Sequence, residues 1–77
     1  MKPSIVNQFG HRVPKSIQEC HSHPAIQSLV VVKVADGQYY YDLTLAEGWQ
    51  LVDTGAVQFQ AQGLQQLRER LMYLDRV

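Results

Sequence analysis

The chain is short of most of what builds an anchor or a reactive centre. One of its 77 residues is cysteine, Cys20, so no disulfide can close within the chain. That excludes a small secreted scaffold stapled by disulfides. No apolar run exceeds four residues, as in Leu29–Val32, far short of the ~18 that a membrane-spanning helix needs. An excess of one charge is missing too. Seven Lys+Arg balance seven Asp+Glu, which argues against a strong nonspecific grip on phosphate backbones. The five glycines are scattered, and no glycine-rich phosphate loop exists. The opening Met1-Lys2-Pro3 continues polar, without the apolar stretch of a secretion signal. The expectation is a soluble, cytoplasmic protein with no membrane partner.

A domain this small buries only about 60% of the surface its unfolded chain exposes. Such cores are often supplemented by a metal or by a second copy of the chain. Composition divides the sequence near Pro24. Residues 1–27 hold all three prolines, all three histidines, and Lys2, Arg12 and Lys15 against Glu19. They read as a partly irregular segment with a short helix near 14–21, Pro14 at its first position and Ile17 and Cys20 pointing one way. Residues 28–77 carry periodic apolar patterning and read as a β-meander followed by a helix, the whole being a single domain.

The clearest signal lies in residues 28–44. Two β-branched or aromatic runs flank Asp36-Gly37, the signature of a tight hairpin. A two-residue loop pairs Val34 with Tyr39, Val32 with Tyr41 and Val30 with Leu43 on one face. Residues 45–53 admit two readings. Thr44-Leu45-Ala46-Glu47 fits a capping box, which would start a helix. The favoured alternative is a second hairpin around Asp53-Thr54-Gly55, pairing Trp49 with Phe59 and Leu51 with Val57. Leucines 64, 67, 71 and 74 then predict a helix over 61–76. The expected fold is α+β: about four antiparallel strands in two consecutive hairpins, covered on one face by the C-terminal helix. The inner face holds Val30, Val32, Val34, Tyr39, Tyr41, Leu43, Trp49, Leu51, Val57 and Phe59.

Candidate chemistry is sparse. Cys20-His21-Ser22-His23, with His11 upstream, has zinc-compatible side chains but lacks the paired spacing of a zinc site. A loop with a partly buried Cys20 explains it better, and no metal or cofactor is expected. Cysteine–histidine catalysis would need a base within reach and an orienting third group, and no oxyanion site accompanies it. Asp36 and Asp53 are accounted for by turns, and Asp42 by Lys33 across the strands. No catalytic residue is assigned. Tyr39-Tyr40-Tyr41 could stack bases, but two of the three face the expected core.

The element order, four antiparallel strands and then a helix, resembles that of the positive-cofactor-four type of single-stranded-DNA-binding coactivators. The resemblance implies dimers that hold a strand through lysine, arginine and exposed aromatics. Here the outer sheet face supplies Lys33 as its one cation. The expected function is therefore a non-enzymatic interaction module that binds a protein partner and self-associates. Its contact face would be Val31, Lys33, Tyr40, Asp42, Val52 and Gln58 on the half-apolar outer side of the sheet. Binding of single-stranded nucleic acid through that face is the alternative.

Overall fold

The computed structural model describes residues 5–77. Met1 to Ser4, with Lys2 and the Met1-Lys2-Pro3 opening, lie outside the described residues. Ser16 starts the first helix, α1 (Ile17–His21), by accepting a hydrogen bond from the Glu19 backbone N–H at 3.2 Å. Glu19 answers by accepting from the Lys15 N–H at 2.9 Å. The Ser16 hydroxyl satisfies one donor that the helix start leaves free, and the Glu19 carboxylate fixes the residue before the cap.

Two long strands follow, β1 (Ile26–Ala35) and β2 (Gln38–Leu45), joined by Asp36-Gly37 as expected. Their register is the first correction. At the turn Ala35 faces Gln38, but an irregularity between Lys33 and Ala35 shifts the ladder by one. Beyond it Leu29 faces Leu43, Val31 faces Tyr41 and Lys33 faces Tyr39. Only Gly37 takes a positive φ, +76°; Asp36 does not. A turn with one left-handed residue does not match the twist of the strands as a doubly left-handed turn does, and a bulge absorbs the difference. Since side chains alternate, the slip moves Val30 and Val32 off the core face. Val30 now faces Asp42, and Val32 faces Tyr40. Val34 is exposed.

The second correction concerns the later strands. Residues 45–53 are not helical. Gly48, at φ +93°, turns the chain out of β2 into β3 (Trp49–Leu51). The expected bend at 53–55 is present. Gly55 has φ +72°, its N–H donates to the Leu51 carbonyl at 2.7 Å, and Leu51 bridges to Ala56. The two arms then part. β4 (Gln58–Ala61) returns to β2, with Phe59 opposite Leu43, giving a sheet of order β1-β2-β4. Trp49 and Phe59 are both buried, though on strands that do not pair, whereas Val57 is exposed.

The third correction is at the end of the leucine stripe. Helix α2 runs Leu64–Leu71, shorter than the expected 61–76. Leu67 and Leu71 fill the core, worth about 1.5–3 kcal/mol each before entropy is subtracted. Leu74 is buried too, but from a fifth strand, β5 (Leu74–Arg76), which pairs antiparallel with β3. Partner strand β3 outweighs the local helical spacing there, a tertiary override of a weak preference. The fold is α+β with an antiparallel three-stranded sheet, a small two-stranded sheet, α2 and the short α1. A strand after the helix also removes the element order on which the coactivator resemblance stood.

Residues from the N-terminal segment enter the same core. Val13, Pro14, Cys20 and Ala25 are buried with Leu43, Leu51, Leu67 and Leu71. They do not blanket the outer sheet face, where Val30 remains half exposed. No helix among the described residues is long and apolar enough to cross a membrane.

Candidate functional site

The β1–β2 hairpin is longer than the layer that covers it. β4 pairs only with Tyr41–Thr44, so the distal half of the hairpin projects as an arm. On its core-side face Val31 is 55% exposed and Tyr39 44%; on the opposite face Val30 is 54% exposed. Val34 near the tip is 62% exposed. Tyr39 and Tyr41, two apart and on one face, stack edge-to-face with centroids 5.5 Å apart. A hollow of about 410 Å³ lies at the tip, lined by Val34, Gly37, Gln38, Tyr39, Tyr40 and Gln62.

The one-residue slip redistributes the expected contact face. Val31 and Lys33 stand on the core-side face with Tyr39 and Tyr41. Tyr40 and Asp42 stand on the outer face, and Gln58 joins them by donating from Nε2 to Asp42 Oδ1 at 3.2 Å. Val52 lies apart, past the end of β3, where its N–H donates to the Tyr73 carbonyl. The six residues thus do not form one surface. Two stand on the core-side face, three on the outer face and Val52 on neither, and the arm itself gathers Val30, Val31, Val34 and Tyr39, of which only Val31 is in the expected contact face.

A second cluster joins the two ends of the described chain. His11 Nε2 lies 2.8 Å from Asp75 Oδ1, and its ring meets Trp49 edge-on at 4.8 Å. The Arg76 guanidinium covers the same indole at 5.0 Å, a cation–π contact. His11 and the Arg76 N–H, both bonded to Asp75, hold that carboxyl below the usual carboxylate range. Beside them Asn7 is nearly fully buried and ties the segment down. Its Nδ2 donates to the carbonyls of Leu71 (3.0 Å) and Leu74 (2.9 Å), and its Oδ1 accepts from the N–H groups of Phe9 and His11. These groups lie more than sixty positions apart in sequence, so no local pattern could have announced them.

Cys20, His11 and His23, which resembled metal ligands, have other surroundings, and His21 is exposed. The Ala25 N–H donates to His23 Nδ1 at 3.0 Å, so that nitrogen carries no proton. Nε2 must then donate to the Arg12 carbonyl, 2.8 Å away, which fixes a neutral imidazole. Burial lowers the His23 pKa further. Burial also pushes the Cys20 thiol up, to about 11, with Glu19 adding to the effect. A thiol so placed is a poor nucleophile and a poor metal ligand at neutral pH. Among the described residues no three histidine, cysteine or acidic side chains converge on one point.

Compared with known proteins, the chain matches no family model, no curated protein and no solved structure.

Proposed function

We propose that this chain is a non-enzymatic interaction module of the cytoplasm that docks a protein partner, its own copy included, through the projecting β1–β2 arm. The observation that carries the reading is the arm's exposure: three valines and a tyrosine stand open on the distal half of the hairpin, beyond the reach of β4 among the described residues. Val31 and Tyr39 open on one face of the arm and Val30 on the other, so the free edge strand is apolar on both sides. The arm also ends the sheet at β1, whose outer backbone groups have no partner strand among the described residues. An extended peptide can add to such an edge, main-chain hydrogen bonds supplying affinity and alternate side chains supplying selectivity. The lone thiol, buried and unpaired, suits a reducing compartment. With balanced charge and Lys33 as the cation of β1, an acidic or nucleic-acid ligand finds little to hold.

The test uses a fluorescently labelled, uncharged peptide of alternating valine and threonine, titrated against the full chain by anisotropy. Saturable binding that weakens when Val30 and Val31 are replaced by aspartate is expected. A parallel titration with single-stranded oligonucleotide at two salt concentrations should show no steep salt dependence. Oligonucleotide binding with a steep salt slope, and none of the peptide, would overturn the reading in favour of nucleic acid.

A further inference from the structure

We infer that β1 pairs antiparallel with β1 of a second copy, about a two-fold axis through Val30, joining two three-stranded sheets into one of six. The inference rests on the arm reading and supplies its partner and register. Proteins blunt a free edge with proline, charge, bulges or brevity. β1 is ten residues long, has no proline, and carries one charge, Lys33. Its irregularities lie between Ile26 and Ser28 and between Lys33 and Ala35, leaving Ser28–Lys33 as a regular ladder. Among the described residues, no backbone hydrogen bond from outside the hairpin reaches 27–37.

Symmetry narrows the register. A two-fold axis perpendicular to the sheet keeps the core-side faces of both copies together, so opposed residues must share a face. The axis then passes through one residue of β1, opposing it to itself. Through Val30, Leu29 faces the partner's Val31, Ser28 faces the partner's Val32, and Lys33 faces the partner's Gln27. Apolar meets apolar in the centre, and the charge meets an amide at the rim. Moving the axis to Val31 opposes Lys33 to Leu29, and moving it to Leu29 opposes Val31 to Gln27. The strand is therefore self-complementary about Val30, which is why a second copy fits it. The two Lys33 side chains end up six residues apart along the strand, about 20 Å. That exceeds the Debye length of about 8 Å at physiological salt. An in-register parallel pairing would set them side by side.

A single strand-to-strand contact is smaller than a standard interface of about 1,600 Å², so the association should be concentration-dependent. Sedimentation equilibrium of the full chain over a wide concentration range should show monomer passing to dimer. Val30→Lys opposes two like charges on the axis and should weaken the dimer by at least about tenfold, equal to about 1.4 kcal/mol. Circular dichroism and Trp49 emission should stay unchanged, since Val30 is half exposed. Disulfide trapping reads the register independently of that variant. Opposed Cα atoms sit about 4.5–5.5 Å apart, within disulfide reach, so Val30→Cys should cross-link under mild oxidation. Val34→Cys, more exposed, should not, because the two thiols would be about 26 Å apart. Monomer at every concentration, a dimer indifferent to Val30→Lys, or equal cross-linking at both positions overturns the inference. If the chain stays monomeric yet binds the valine–threonine peptide, self-pairing alone falls; if it does neither, the arm reading falls with it.

Discussion

Asn7→Ala should cost more than any other single polar truncation in this domain. The Asn7 side chain is 4% exposed and makes four hydrogen bonds. Two of them end on the carbonyls of Leu71 and Leu74, where α2 stops and β5 begins. A helix end leaves carbonyls without intrahelical partners, and a buried group left unpaired costs about 1–3 kcal/mol. The N–H groups of Phe9 and His11 are only partly buried and can recover water. The loss is therefore about 2–6 kcal/mol, dominated by the two carbonyls. A domain of this length has a total stability of about 4–12 kcal/mol. Urea unfolding followed by Trp49 emission measures the change directly, because the chain has one tryptophan and it lies in the clasp. Asn7→Asp separates the two halves of the interaction. It keeps an acceptor for Phe9 and His11 but turns an oxygen toward two carbonyls, so it should be at least as destabilising as alanine. A loss under about 1 kcal/mol for both variants, within the range of one ordinary hydrogen bond, would refute the reasoning.

Three further outcomes follow from the same geometry. Cys20, with its thiol raised to about 11 by burial, should resist a thiol reagent at pH 8 in the native chain and react at once in denaturant; fast native labelling would contradict its placement. His23 is held neutral with its pKa below the ordinary 6.5, so the unfolded chain takes up a proton that the folded chain refuses. Stability should therefore be complete above pH 6.5 and fall as pH drops toward the lowered folded value, with Asp75, also lowered, adding a second loss below 3.8; a midpoint of urea unfolding unchanged between pH 7 and pH 5 would oppose this. Gly55→Ala should cost about 1–2 kcal/mol in the same urea assay through its left-handed backbone alone, since φ is +72° and a Cβ there would meet nothing within 4 Å.

The parts of the fold that the sequence announced were those with one polar and one apolar side. β2 alternates over Asp42–Leu45, and Tyr41 and Leu43 face inward as expected. The Asp53-Thr54-Gly55 bend was also legible, because a left-handed glycine in a short loop has few other uses. β1 was not legible in register. Leu29-Val30-Val31-Val32 is apolar on both sides, so nothing in it says which side is core, and one bulged residue decides. The same even polarity leaves it exposed in the fold. The helix cap that forms is Ser16 accepting from Glu19, while the capping-box pattern at Thr44 and Glu47 lies in a strand and a turn. β5 escaped because Leu74 keeps the helical spacing of Leu67 and Leu71. Only β3 and the Asn7 amide, both distant in sequence, draw it into a strand. The expected contact face does not hold together as one surface: Val31 and Lys33 stand on one side of the arm and Tyr40 on the other, because a one-residue change of register exchanges the faces.

The clasp between residues 7–11 and 74–76 has a consequence for synthesis. Its hydrogen bonds span 64 and 67 positions, nearly the whole described chain. A ribosome releases the first partner long before the second. Until residue 76 has cleared the exit tunnel, Trp49 lacks both its strand neighbour and the guanidinium above its ring. The nascent chain can form the β1–β2 hairpin early, since that needs only local contacts. It waits with that valine-rich edge in the open, and closure of the domain comes only once residues 74–76 have emerged.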